Sequence, residues 1–169
     1  MQKTIKFKKN LIFKRIIFIL MLIATFYIIF SFSSQNGEES GNISRKVTEF
    51  FVEILSKIKT MDISLKSYYV ERLHPIIRKL AHFSIYTVVG FSLMGFMCTF
   101  DIKNLYKFLT SLGVGIIYAI TDEFHQSLIP GRGPSFKDVC IDSAGVLTGI
   151  FILIILIIFV EAIVDWFKR

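Results

Sequence analysis

The chain has 169 residues, of which 53% are hydrophobic, a mean hydropathy of +0.61 and a formal net charge of +7. That composition excludes an ordinary soluble domain, because the apolar residues fall in blocks that approach the ~20 residues needed to cross a bilayer. It also argues against nucleic-acid binding: six of the 20 basic residues lie in the first 15 positions, ahead of an apolar block, where they read as a topology signal. The two cysteines, Cys98 and Cys140, have no zinc spacing, and no metal or cofactor is expected. The class implied is one all-α integral membrane domain over residues 1–169.

The first expected span is about residues 16–32, IIFILMLIATFYIIFSF, preceded by Lys14 and Arg15. A cleaved signal peptide competes with it, since Ser31-Phe32-Ser33 offers small residues at suitable offsets. The apolar run is long for that role and rich in bulky aromatics, which favours an uncleaved span. A polar loop over residues 33–79 follows. Within it Ile43, Val47, Phe50, Phe51, Ile54, Leu55 and Ile58 share one helical face, opposite Arg45, Lys46, Glu49, Glu53 and Lys57. This predicts an extracellular amphipathic helix over about 43–59. It lies either in the membrane interface or against the protein's own outer surface. The second span covers about 75–100, with Pro75 as a first-turn residue. The third covers about 105–121 and follows the very short connection DIKN, which makes a tight helical hairpin. The fourth covers about 139–160 and ends in the tail EAIVDWFKR.

Four transmembrane helices put both termini on one side. The raw basic count is equal on the two sides, but the dense cluster beside the first span makes the terminal side cytoplasmic. The loops 33–79 and 122–138 then face outward from the cell membrane. Arg78 and Lys79 oppose that charge signal, which marks them for a specific task. Arg78, His82 and Tyr86 form one stripe at i, i+4 and i+8. Tyr118, Asp122 and Gln126 form a second, with Glu123 and His125 beside it. Asp138 and Asp142 stand one turn apart on the fourth helix, ahead of Gly145 and Gly149, a pair that admits close helix approach. A bare ionised group deep in hydrocarbon costs at least about 2.5–3.5 kcal/mol, so these groups are expected to face one another around a polar cavity open to the outside. Singly, each has a plainer reading: snorkelling for Arg78 and Lys79, interhelical hydrogen bonding for His82, N-capping for Asp138, a turn for IPGRGPS. Those readings leave unexplained why basic groups on the second helix sit level with acids on the third and fourth.

Four segments, SSQNGEES after the first span, RKLAHFSIY in the second, DEFHQSLIPGR after the third and KDVCIDSAGVLTG leading into the fourth, resemble the VanZ family of bacterial membrane proteins. The resemblance covers most of the chain except the amphipathic helix and the two tails. It implies Ser34, Gln35, Arg78, Lys79, His82, Tyr86, Asp122, Glu123, Gln126, Arg132, Asp138, Asp142, Gly145 and Gly149 as signature positions. Many relatives carry an acid where Ile85 stands, which bears against any mechanism needing a carboxylate on the second helix. The family takes its name from a protein associated with teicoplanin resistance, so the resemblance implies a role in the cell envelope without supplying a reaction.

Two functions follow as expectations. In the first, Gln35, Arg78, Lys79, Tyr86, Gln126, Arg132, Asp138 and Asp142 bind or shield an anionic membrane lipid or lipid-linked cell-wall precursor, since guanidinium forks suit phosphate. In the second, an enzyme acts on such a headgroup, with His82 and Asp122 or Glu123 as acid and base. No nucleophile elbow accompanies the second. Transport fits poorly with polarity at one end only, and a metal site through His82 and His125 rests on a single D-x-x-H. Cys98 and Cys140 belong to opposite ends of their spans, so no disulfide is expected between them.

Overall fold

A computed structural model describes residues 2–58 and 60–168, with side chains from residue 10 onward. The side chains of Lys3, Lys6, Lys8 and Lys9, and the expected helix end at residue 59, lie outside the described residues. Among those described, the chain forms five α-helices and no strand: α1 (Gln2–Ser33), α2 (Gly37–Ile58), α3 (Ile63–Met97), α4 (Asn104–Ser127) and α5 (Phe136–Phe167). The amphipathic segment is therefore a helix, α2, and four long helices surround the core.

The second long helix begins earlier than its apolar run. Asp62 caps α3, its carboxylate accepting the Leu65 N–H at 2.8 Å, and that backbone bond holds its pKa below the ordinary value. Pro75 consequently lies inside α3 and not in its first turn. The turns ahead of it survive because α2 pairs with them antiparallel. Arg45 meets Glu71 at 2.7 Å, Lys66 meets Glu53 at 3.0 Å, and the Ser44 hydroxyl meets His74 Nε2 at 2.8 Å. Thr48 and Val52 are buried on α2, while Ile43, Val47, Phe50, Phe51, Ile54, Leu55 and Ile58 remain exposed. So α2 does not lie alone beside the bundle. One side rests on α3 and its apolar face is uncovered by protein.

Contacts along the helices fix their directions. α1 and α4 run one way, α3 and α5 the other. The parallel pair α3 and α5 packs backbone to backbone: a Cβ at Gly145 would meet the Phe83 carbonyl, one at Gly149 the Thr87 carbonyl, and one at Gly90 the Val146 carbonyl. Tyr86, Val89, Ala119, Val146 and Ile150 form the fully buried centre. α5 starts at Ser135, whose side chain accepts the Asp138 N–H at 3.3 Å; Ser135, and not Asp138, is the N-cap. At the opposite end Arg15 donates to the Thr99 hydroxyl and carbonyl, both at 3.1 Å, and lies 4.3 Å from the Phe100 ring centroid. A residue that reads as a topology charge thus also pins α1 to the α3–α4 turn. Both cysteines are free, Cys98 at this end and Cys140 near the start of α5.

Among the described residues three helices are long and apolar enough to cross a membrane, within Asn10–Ser33, Ile63–Met97 and Phe136–Phe167. Four were expected, and α4 is the difference. Lys107 enters its first turn, Ser111, Gly113 and Gly115 dilute the apolar run, and Asp122 with Glu123 close it. Even so, α4 runs the depth of the bundle. Near its start Ser111 lies against Met94 and Phe108 beside Phe151; near its end Asp122 reaches the last residue of α1. At about 1.5 Å per residue, Arg15 and Ser33 stand roughly 27 Å apart along α1, close to a bilayer core of ~30 Å.

Candidate functional site

The polar end of the bundle is built on Asp122, which α4 carries into the interior. It accepts the Ser33 hydroxyl at 2.5 Å on one oxygen, and the Tyr86 hydroxyl and Gln126 amide, each at 3.0 Å, on the other. Gln126 also donates to the Ser33 oxygen at 3.2 Å. Ser33, Tyr86, Asp122 and Gln126 are all buried. Three helices therefore meet at one carboxyl group, whose hydrogen-bond partners among the described residues are neutral donors.

The loop between α4 and α5 folds over this floor. Gly131 adopts φ +79°, a left-handed conformation that a side chain would strain, and the backbone there presses on Gly37, whose N–H donates to the Pro130 carbonyl at 3.3 Å. Arg132 is thereby aimed at the end of α1. It donates to the carbonyls of Ser33 and Phe32, both at 3.3 Å, and so caps carbonyls that a helix C-terminus leaves open. Burial, and Arg78 nearby, lower its pKa from the usual arginine value. Glu123 accepts the Ser135 N–H at 2.5 Å and anchors the other end of the loop.

Above lies a polar cleft of about 320 Å³, lined by Pro75, Arg78, Lys79, His82, Glu123, Gln126, Gly131, Arg132, Gly133, Asp138, Ile141 and Asp142. Lys79 pairs with Asp138 at 3.6 Å, and His82 Nδ1 lies 3.8 Å from Asp142, within reach of an ion pair but long for a hydrogen bond. Among the described residues Arg78 makes no hydrogen bond or ion pair. A second pocket, of about 310 Å³ and mostly apolar, opens between α1, α2 and α3. The two share Arg78, His82 and Arg132.

Of the residues expected to bind a ligand, Arg78, Lys79, Gln126, Arg132, Asp138 and Asp142 line the cleft, as do His82 and Glu123. Tyr86 does not; it is buried beneath, holding Asp122. Gln35 sits in the α1–α2 turn, outside the cleft lining, with a buried carbonyl oxygen that has no hydrogen-bond partner. The expected acid–base pair is not assembled as drawn from sequence. Asp122 is taken by three donors and Glu123 by a backbone N–H, and the acid within ion-pair range of His82 is Asp142. Among the described residues no group of three His, Cys, Asp or Glu side chains is placed to hold a metal ion. Ser33 escaped sequence reading because Ser34 next to it looks identical. The distinguishing signal is the buried stripe Leu22, Thr25, Ile29 and Ser33, at helical spacing. Ser34 instead points outward, 3.3 Å from His125, whose ring stacks on Phe30.

No curated protein and no solved structure matches the chain. A family profile, VanZ/LLP1, matches residues 18–158, a stretch that contains every residue lining the cleft. The match extends over most of the chain and reaches into every helix that builds the site, and on it the protein belongs to the VanZ/LLP1 family.

Proposed function

We propose that the cleft binds the anionic headgroup of a membrane lipid or lipid-linked cell-wall precursor, and that occupying such a ligand lowers susceptibility to glycopeptides such as teicoplanin. One observation carries this reading. Each acid of the cleft lies beside a group of this chain, Asp138 at 3.6 Å from Lys79 and Asp142 at 3.8 Å from His82, neither through a hydrogen bond, and Glu123 on the Ser135 N–H, whereas half-buried Arg78 has neither an ion pair nor a hydrogen bond among the described residues. A guanidinium at the lip of a cleft, with Lys79 beside it, suits a phosphate that offers two oxygens. Arg132 contributes charge, but its terminal nitrogens already hold α1.

Family membership and the three apolar helices indicate a multi-pass membrane protein. Our reading adds α4 as a fourth crossing, with both termini cytoplasmic and the cleft outside. The basic cluster ahead of α1 supports that orientation.

The test is lipid carried through gentle purification and identified by mass spectrometry, from cells expressing wild type, Arg78→Ala and Lys137→Ala at matched levels. The reading expects an anionic lipid that Arg78→Ala loses and Lys137→Ala keeps, and a parallel loss of teicoplanin tolerance. A lipid retained equally by Arg78→Ala overturns it. Recovery of a chemically converted headgroup overturns it in favour of chemistry at His82 and Asp142.

A further inference from the structure

We propose that the apolar pocket takes the hydrocarbon chain of the same ligand, so that the protein binds a single-chain anionic amphiphile with its head in the cleft and its tail between α1, α2 and α3. This rests on the headgroup reading above and narrows it to a chemical class. The pocket walls are Ile28 and Ile29 from α1, Val47 from α2, and Ile77, Ala81 and Ile85 from α3. The boundary with the polar cleft is made by Arg78, His82 and Arg132, the residues that line both. A molecule that occupies the two spaces together must change from charged to apolar at that line, which is the junction of head and tail in an amphiphile. The volume of about 310 Å³ lies at the low end of ligand pockets and suits one chain better than the two of an ordinary phospholipid.

The pocket also has a built outer wall. α2 is held over it by Ser44 on His74 and Arg45 on Glu71, so Ile43 and Val47 line it from the side away from the bundle core. This gives part of the otherwise uncovered face of α2 an occupant of stated chemistry. Apolar walls hold a chain through packing contacts, and charge at one mouth fixes which way the chain enters.

The experiment places the full chain in phosphatidylcholine nanodiscs with a trace of an alkyl phosphate bearing a diazirine in its single chain. After illumination the labelled peptides are mapped by mass spectrometry. Label is expected on the segments around Val47 and Ala81, competed by unlabelled alkyl phosphate and not by the alcohol of the same chain. Ala81→Trp and Val47→Trp, which fill the pocket from two different helices, are each expected to cut specific labelling by at least about tenfold, an affinity loss of about 1.4 kcal/mol. Arg78→Ala is expected to do the same. Using two helices keeps a folding defect in one variant from deciding the outcome. If labelling responds to Arg78→Ala but to neither tryptophan, the tail pocket is overturned and the headgroup reading stands. If it responds to both tryptophans but not to Arg78→Ala, the headgroup reading fails. Label spread evenly over the exposed faces of α1 and α5, without competition, overturns both.

Discussion

Asp122 shows how a buried carboxylate is held by neutral hydrogen-bond donors. Its three hydrogen bonds come from Ser33, Tyr86 and Gln126, and each loses its acceptor if the carboxylate goes. Asp122→Ala is therefore expected to destabilise the bundle by about 3 kcal/mol or more, since every buried donor left unsatisfied costs about 1–3 kcal/mol. Tyr86→Phe removes one donor only, and about 1–2 kcal/mol is expected; thermal unfolding in detergent checks the order. Arg132 behaves differently from Lys137, which stands in the first turn of α5. Arg132→Lys keeps the charge but cannot reach two carbonyls with a planar fork, so a loss of about 1–2 kcal/mol is expected, whereas Lys137→Ala, at an exposed position, should stay within about 0.5 kcal/mol. Equal effects would mean that only charge matters there. The sequence marks both arginines of the site as unusual. It cannot separate Arg132, which is committed to α1, from Arg78, which has no partner among the described residues, because that distinction depends on where the end of α1 falls in space.

At the scale of elements, the glycines divide cleanly by what surrounds them. Gly145 and Gly149 face α3 backbone, while a Cβ at Gly113 meets nothing. Gly145→Ala and Gly149→Ala are expected to force α3 and α5 apart and lower the unfolding temperature, and Gly113→Ala to be neutral or to stabilise by up to about 1 kcal/mol through helix propensity. A measurement in which all three behave alike would remove the close-packed pair. That pair was legible, since small residues one turn apart have a single common use in a membrane helix. So was α2, from the periodicity of its apolar face. The start of α3 was not. Its first turns are polar and contain a proline downstream, and they are helical because α2 supplies partners from outside the segment, a contact between residues distant in sequence. The shortfall in α4 has the same origin: its apolarity is judged residue by residue, but its depth is set by the helices around it.

For the whole molecule, the number of crossings is the open arithmetic, and reporters fused to the two ends resolve it. Four crossings place both reporters in the cytoplasm; three place them on opposite sides and overturn α4 as a span. The polar end and its contributing segments could be located from sequence because each helix brings its charged residues to the same level. Which groups pair could not, since helix rotation decides it. The acceptor Asp122 finds two of its donors on α1 and α3, both made before it, and among the four long helices described α4 is the one that falls short of a membrane span by length and composition. On the four-crossing reading proposed above, the short turn after α3 and the waiting hydroxyls of Ser33 and Tyr86 let α4 enter the bilayer as a guest of helices already there. Loss of either hydroxyl should then show first as failed insertion in the newly made chain, with residues beyond Ser127 left on the wrong side, before any ligand is in question.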